Sequence, residues 1–143
     1  MKNILFVCKW NRFRSKIAES YFNKINKNKN FKAKSAGIIK GWTPFDAYQV
    51  DEAKKLGINL KGKTQGIDTK LLKWQDLIII TANDIPETIF QSKVPITALG
   101  NKKLEAITWK IPDVKFGDRE ACKKAIQEIM FKVNNLIKLE NKN

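Results

Sequence analysis

The chain has 143 residues, 43% of them hydrophobic, and a formal net charge of +14 with no histidine. That length supports one domain with a real core, and no apolar run approaches the roughly 20 residues needed to span a bilayer. The missing histidine excludes Ser-His and Cys-His hydrolase arrangements and removes the commonest zinc ligand, so acid–base work falls to Asp, Glu, Lys or Tyr.

In chain order, Ile4-Leu5-Phe6-Val7 reads as a buried strand without alternation, ended by Cys8-Lys9. It is too short for a secretory apolar region and lacks a cleavage site, so it is a core strand and the protein is expected in the cytoplasm, with both cysteines reduced. A helix is expected from Ser15, with Ile17, Ala18, Tyr21, Phe22 and Ile25 on one face. Residues 31–35 read as a second strand ended by Gly37. The next helix is expected to open at Thr43-Pro44, to present Phe45, Tyr48, Val50, Ala53 and Leu56 inward, and to stop at Gly57. Asp68 caps a short helix over residues 69–74, and Leu77-Ile78-Ile79-Ile80-Thr81 gives the strongest central-strand signal.

Further on, residues 85–91 suggest a short helix and residues 94–99 a fourth strand, which Pro95 confines to an edge or to its start. Residues 105–109 are ambiguous. A last helix runs from Asp118 or Arg119 to about Leu139, with Cys122 inside its apolar stripe as an ordinary core residue. Alternating strand and helix patterns predict an α/β domain: a parallel sheet with helices on both faces, spanning residues 1–140 before a frayed tail at 141–143.

The chemistry concentrates in Cys8-Lys9-Trp10-Asn11-Arg12-Phe13-Arg14-Ser15. A loop between a strand end and a helix start turns backbone N–H groups into one small bowl, and the helix terminus adds about half a positive charge. Such a bowl binds a tetrahedral oxyanion and favours the ionised form of a thiol at its centre. Cys8 supplies the nucleophile, and Arg14 a planar fork for two phosphate oxygens. Arg12, Arg14 and Arg119 are the only arginines among 28 basic residues, so two of the three lie in this loop. The spread lysines carry no nucleic-acid-binding signature, and a Lys-, Asn- and Ile-rich amino-acid usage explains the charge as well as a nucleic-acid role does.

Val7-Cys8 with Asn11, Arg14 and Ser15, then Ala18-Glu19, Ser35-Ala36-Gly37, Leu56-Gly57-Ile58, Asp76-Leu77-Ile78 and Ile111-Pro112-Asp113, occur in the order found in the low-molecular-weight protein tyrosine phosphatases. The sequence resembles that family, which also includes thioredoxin-coupled arsenate reductases, over most of its length. The resemblance implies a four-stranded parallel sheet of flavodoxin-like type and a metal-independent, cofactor-free phosphomonoesterase acting through a phosphocysteine. Its substrate would be a phosphorylated protein or a small phosphate ester. By resemblance, Cys8 attacks phosphorus, Arg14 holds two equatorial oxygens, and Asp113 acts as acid and then base. Asn11, Ser15 and Ser35 fix the loop, and Lys9, Trp10, Arg12 and Phe13 complete it.

The departures carry information. Trp10 stands where the family usually has glycine, and Phe13 where a cysteine often sits. Arg12 replaces a small or aliphatic residue and is expected to offer the substrate an extra cation. Lys16 replaces a common proline. Trp10, Trp42 and Phe116 are available as aromatic walls, although Trp42 is expected in the core. Cys122 is the only other cysteine, and its inward position argues against arsenate reduction through a resolving thiol. Two alternatives to the phosphatase stay open: a non-catalytic phosphate- or phosphoprotein-binding module with a divergent loop, and a nucleic-acid-associated protein. Oligomeric state is not legible.

Overall fold

The computed structural model describes residues 2–90 and 103–142. Four parallel strands make one sheet in the order β2-β1-β3-β4. They are β1 Lys2–Cys8, β2 Phe31–Gly37, β3 Leu77–Ile80 and β4 Ala106–Thr108. β1 pairs with β2 on one side and β3 on the other, so its apolar run is continuous because both of its faces are covered. Ile4 and Phe6 pack against α1 (Arg14–Ile25) and α4 (Arg119–Asn141), together with residues of α2 (Ala47–Lys55). Leu5, Val7, Ile78 and Ile80 pack against Leu71 of α3 (Thr69–Trp74) and against Ile85 and Phe90, around a 3₁₀ turn at Glu87–Phe90. Phe6, Phe22 and Phe31 are wholly buried and meet edge to face, Phe22 and Phe31 at 4.8 Å. Truncating one of these rings to alanine costs about 3–5 kcal/mol.

The local signals explain most boundaries. Asp68 Oδ1 accepts from Leu71 N at 2.8 Å and caps α3. Asp118 Oδ1 accepts from Ala121 N at 3.0 Å and caps α4, which continues through Asn141, the first of the three residues expected to fray. Gly57, with φ of 80°, ends the turn after α2 in a conformation that side chains resist. α1 starts one residue before Ser15, at Arg14, with Phe13 in the cap position and no side-chain cap.

One boundary changes. α2 begins at Ala47 rather than near Pro44, and the Thr43–Pro44 peptide is cis. The cause lies in the loop after β1: Arg12 Nε donates to Trp42 O at 3.1 Å and Nη2 to Pro44 O at 2.9 Å, holding residues 42–44 as a loop instead of a helical turn. The fourth strand is Ala106–Thr108, within the stretch that the sequence left ambiguous, while residues 94–99 lie outside the described residues.

α2 and α4 are tied by Arg119, which donates to Asp51 and, at 2.8 Å, to Glu52. These bonds, with Lys55, hold both carboxyls below their usual range: Arg119 is the larger cause for Asp51 and Lys55 for Glu52. Among the described residues, no helix is long and apolar enough to cross a membrane.

Candidate active site

In an open parallel sheet the natural site lies beyond the carboxyl ends of the strands, where the order reverses between neighbours. Here that point is the end of β1, with β2 leaving to one side and β3 to the other. Cys8 is the last residue of β1, and its side chain is almost wholly covered. Residues 9–13 bridge to α1, and the carbonyls of Cys8 and Lys9 accept from Ile38 N and Ile39 N at 2.9 and 3.0 Å. Gly37 lies directly beneath the loop. A Cβ there would come within 2.7 Å of Trp10 C and 2.8 Å of Asn11 N, so only glycine lets β2 pass this close.

Asn11 organises the interior of the loop. Its φ of 57° is left-handed, a conformation that asparagine tolerates better than most residues. Gln65 N–H donates to Asn11 Oδ1 at 3.0 Å, which fixes the amide so that Nδ2 points at two hydroxyls. Asn11 Nδ2 donates to Ser15 Oγ and to Ser35 Oγ, each at 2.9 Å. Ser35 in turn donates to Glu19 Oε1 at 2.7 Å. Ser15 Oγ accepts from Asn11 and lies 3.0 Å from Cys8 Sγ, where its own proton is available to a sulfur that has lost one. Asn11 and Ser15 thus form one hydrogen-bonded chain that ends at the Cys8 sulfur.

Arg14 is buried, with a side chain only 5% exposed. Its Nη2 donates to both oxygens of Asp84, at 3.1 and 3.3 Å, and its Nη1 to Ile111 O at 3.0 Å. Ile111 O also accepts from Asn83 N at 3.1 Å. The arginine thus joins the loop after β3 to the Ile111-Pro112-Asp113 segment. Asp113 is exposed, and its Oδ1 accepts from Val114 N at 3.0 Å.

Cys8 and Arg14, at the two ends of one loop, and Asp113, from a segment about 100 residues further on, line one cleft of about 180 Å³. Its sides are aromatic. Trp10 and Trp42 meet edge to face at 5.5 Å, and Tyr48 and Phe116 at the same distance, and both pairs line it. Trp42 is 57% exposed and Phe116 85%, so Trp42 belongs to this rim and not to the core. Burial pushes the Tyr48 hydroxyl above its usual range.

Arg12 is the second correction. Its charge is not offered to the cleft as a free cation: Nη2 pairs with Asp46 Oδ1 at 3.3 Å, and the guanidinium lies 4.2 Å from the centre of the Trp42 ring. It fastens the Trp42 loop to the phosphate-loop segment. Lys9 stays exposed with its ammonium 5.3 Å from the Trp10 ring, and Phe13 is buried under the start of α1. Cys122 is fully buried among α4 core residues, and burial raises its pKa to about 11. The free cysteines do not meet in a disulfide, and no cluster of potential metal ligands occurs among the described residues.

Sequence reasoning missed Asp84, Gln65 and the link from Glu19 to Ser35. Asp84 stands 70 positions from Arg14, and Gln65 acts at Asn11 through a backbone amide, which no side-chain pattern reveals.

The comparisons with known proteins agree with this geometry. No curated protein sequence matches significantly. Among solved structures, a low-molecular-weight protein tyrosine phosphatase from T. tengcongensis is 27% identical, with a TM-score of 0.79 over 96% of this chain and 99% of its own. An arsenate reductase from Archaeoglobus fulgidus is 26% identical, with a TM-score of 0.74 over 94% and 98%. The YwlE arginine phosphatase from Geobacillus stearothermophilus shares the fold at 19% identity, with a TM-score of 0.80 over 99% and 95%. The family profile described as low molecular weight phosphotyrosine protein phosphatase matches residues 3–143, nearly the whole chain. A nucleophile loop at the end of the first strand, in a sheet of this order, is therefore no isolated likeness: the chain belongs to the low-molecular-weight phosphotyrosine protein phosphatase family and is a cysteine-based phosphatase.

Proposed function

We propose that Cys8, Arg14 and Asp113 carry out phosphomonoester hydrolysis in two steps. In the first, the Cys8 thiolate attacks phosphorus in line with the leaving oxygen. The P–S bond forms, the P–O bond breaks, and Asp113 gives its proton to the departing oxygen. Arg14 holds two equatorial oxygens and stabilises the charge that builds on them. In the second, Asp113, now a carboxylate, takes a proton from water while the water oxygen attacks phosphorus. The P–S bond breaks, and the Ser15 hydroxyl stabilises the thiolate that leaves. Inorganic phosphate and the resting enzyme result.

The observation that carries this reading is the convergence of Cys8, Arg14 and Asp113 on one cleft. The hydrogen-bonded chain Gln65–Asn11–Ser15–Cys8 supports it, because it holds a hydroxyl against the sulfur. The two aromatic pairs that line the cleft favour a flat leaving group, so an aryl phosphate such as phosphotyrosine on a protein is the substrate we infer. The chemistry needs a reduced Cys8, which suits a cytoplasmic setting. Hydrolysis of p-nitrophenyl phosphate tests the assignment. Activity should disappear in Cys8→Ser and fall by roughly 10²–10⁴ in Asp113→Ala. Turnover retained in Cys8→Ser would refute it.

A further inference from the structure

A second groove, about 400 Å³ in volume, adjoins the catalytic cleft at Trp42. Trp42 lines both, so the two form adjoining compartments around one exposed indole. The groove is walled by Lys40 and Lys63, with Thr43 and Thr64 beside them. Its walls are tied to the phosphate loop. Thr64 Oγ1 donates to Gly41 O at 2.9 Å. Gly41 in turn lies against Trp10 and Arg12 so closely that a Cβ would come within 2.7 Å of Arg12 Cγ. Just beyond Thr64 in the chain, Gln65 N–H donates to Asn11 Oδ1, and Gly66 bridges to Gly37. Both lysines therefore project from backbone whose position is set by the loop around Cys8.

The charge of this groove has no internal balance. No Asp or Glu occurs in residues 20–45 or 53–67, stretches that contain Lys40, Lys61 and Lys63. Lys40 and Lys63 are exposed, and neither meets an acidic partner among the described residues. The contrast with Arg12 is informative. In the catalytic cleft the additional cation is neutralised by Asp46, whereas in the adjoining groove the cations stand unopposed.

We propose that the groove between Lys40 and Lys63 receives an anionic side chain that flanks the phosphorylated residue, so that the enzyme selects acidic phosphopeptides. The occupant is an extended acidic peptide whose phosphorylated residue enters the Cys8 cleft while a neighbouring carboxylate or second phosphate passes Trp42. Consecutive residues of such a peptide are about 3.3–3.6 Å apart, and their side chains alternate in direction, so only some flanking positions can reach. The proposal rests on the assignment of Cys8 and Arg14 to the phosphorylated residue.

The test compares phosphotyrosyl peptides that carry Asp on one side or the other of the phosphorylated residue with isosteric Asn versions, and adds one peptide with a second phosphate. The ratio of kcat/KM between acidic and neutral peptides is the readout. Partly exposed ion pairs of this kind give a preference of about 3–10-fold at low salt. The preference should shrink near 0.5 M salt, about where screening reaches only a few ångströms, and should vanish in the K40Q/K63Q double variant. In K40E/K63E it should invert toward Lys-flanked peptides, which a merely damaged protein cannot do. The aspartate and second-phosphate peptides tell which anion is preferred. The same peptides, titrated into Cys8→Ser by calorimetry, give the ratio as Kd without turnover. A failure of p-nitrophenyl phosphate hydrolysis would therefore refute the catalytic assignment while leaving the groove to be decided by binding. Equal handling of acidic and neutral peptides, or a preference that survives K40Q/K63Q, overturns the proposal. So does an RNA oligonucleotide that binds through Lys40 and Lys63 more tightly than the acidic peptides do.

Discussion

At the scale of single residues, the candidate site is held together by hydrogen bonds around Cys8 and Arg14. Asn11 is fixed by Gln65 and orients Ser15 and Ser35, and through Ser15 it reaches the sulfur. Asp84 does the same for Arg14, and because Arg14 also holds Ile111 O, the pair indirectly positions the Asp113 segment. Asp84→Asn keeps an acceptor of similar shape but removes the charge. It should lower kcat/KM for p-nitrophenyl phosphate by about 10-fold and weaken phosphate binding, since small displacements of a positioned group are costly to catalysis. A variant with unchanged phosphate affinity and rate would mean that Arg14 is held well enough by the Ile111 carbonyl alone. Little of this support was readable in advance. Cys8 and Arg14 stand out by residue type and by their place between a strand and a helix, and Asp113 only through the family resemblance. Asp84 is one acidic residue in a loop after a strand, and nothing local says that it closes on an arginine from the start of the chain.

At the scale of elements, the sequence was most informative where a boundary is set by a local hydrogen bond or a steric stop. Asp68, Asp118 and Gly57 acted as their residue types dictate. It was least informative where tertiary contacts override propensity. Thr43-Pro44 is a good helix opening in isolation, yet Arg12 binds the carbonyls of Trp42 and Pro44 and delays α2 to Ala47. β4 has only three residues, and Ile107, at its centre, is 45% exposed, so its apolar signal is faint. Gly37 belongs to this scale as well, because it lets the end of β2 approach the phosphate loop. Gly37→Ala forces the loop to shift by at least a few tenths of an ångström at both Trp10 and Asn11. The expected result is a protein that retains its helical content by circular dichroism but binds phosphate at least 10-fold more weakly by calorimetry. Unaltered phosphate binding in that variant would contradict the packing described here.

At the scale of the whole molecule, one buried thiol gives stability a definite pH dependence. Cys122 is neutral in the folded state until about pH 11, against 9.0 for a thiol free of the fold. The unfolded chain therefore loses this proton first as pH rises. Between about pH 9 and 11 the folded state binds more protons than the unfolded state, so stability must fall. Two pH units correspond to about 3 kcal/mol at most, and the raised Tyr48 acts in the same direction. Cys122→Ala should flatten the dependence of the urea midpoint on pH over this window, after allowance for the small cavity that it creates. An equally steep decline in Cys122→Ala would assign the effect to the lysines or tyrosines instead. Below pH 9 the group contributes its full stabilisation and no slope.

The α/β architecture itself was legible at this scale, because continuous apolar strands separated by amphipathic helices leave few ways to bury both faces of a sheet. The phosphatase assignment stands on the family match, and the account of how the reaction proceeds stands on Cys8 as the atom that accepts phosphorus. Acid-quenching Asp113→Ala during turnover of p-nitrophenyl phosphate, followed by peptide mass spectrometry, tests this most directly. The account predicts a phosphoryl group on the peptide that contains Cys8, and none when Cys8→Ala is added. A phosphorylated peptide from elsewhere in the chain, or steady hydrolysis in the Cys8→Ala protein, would contradict it.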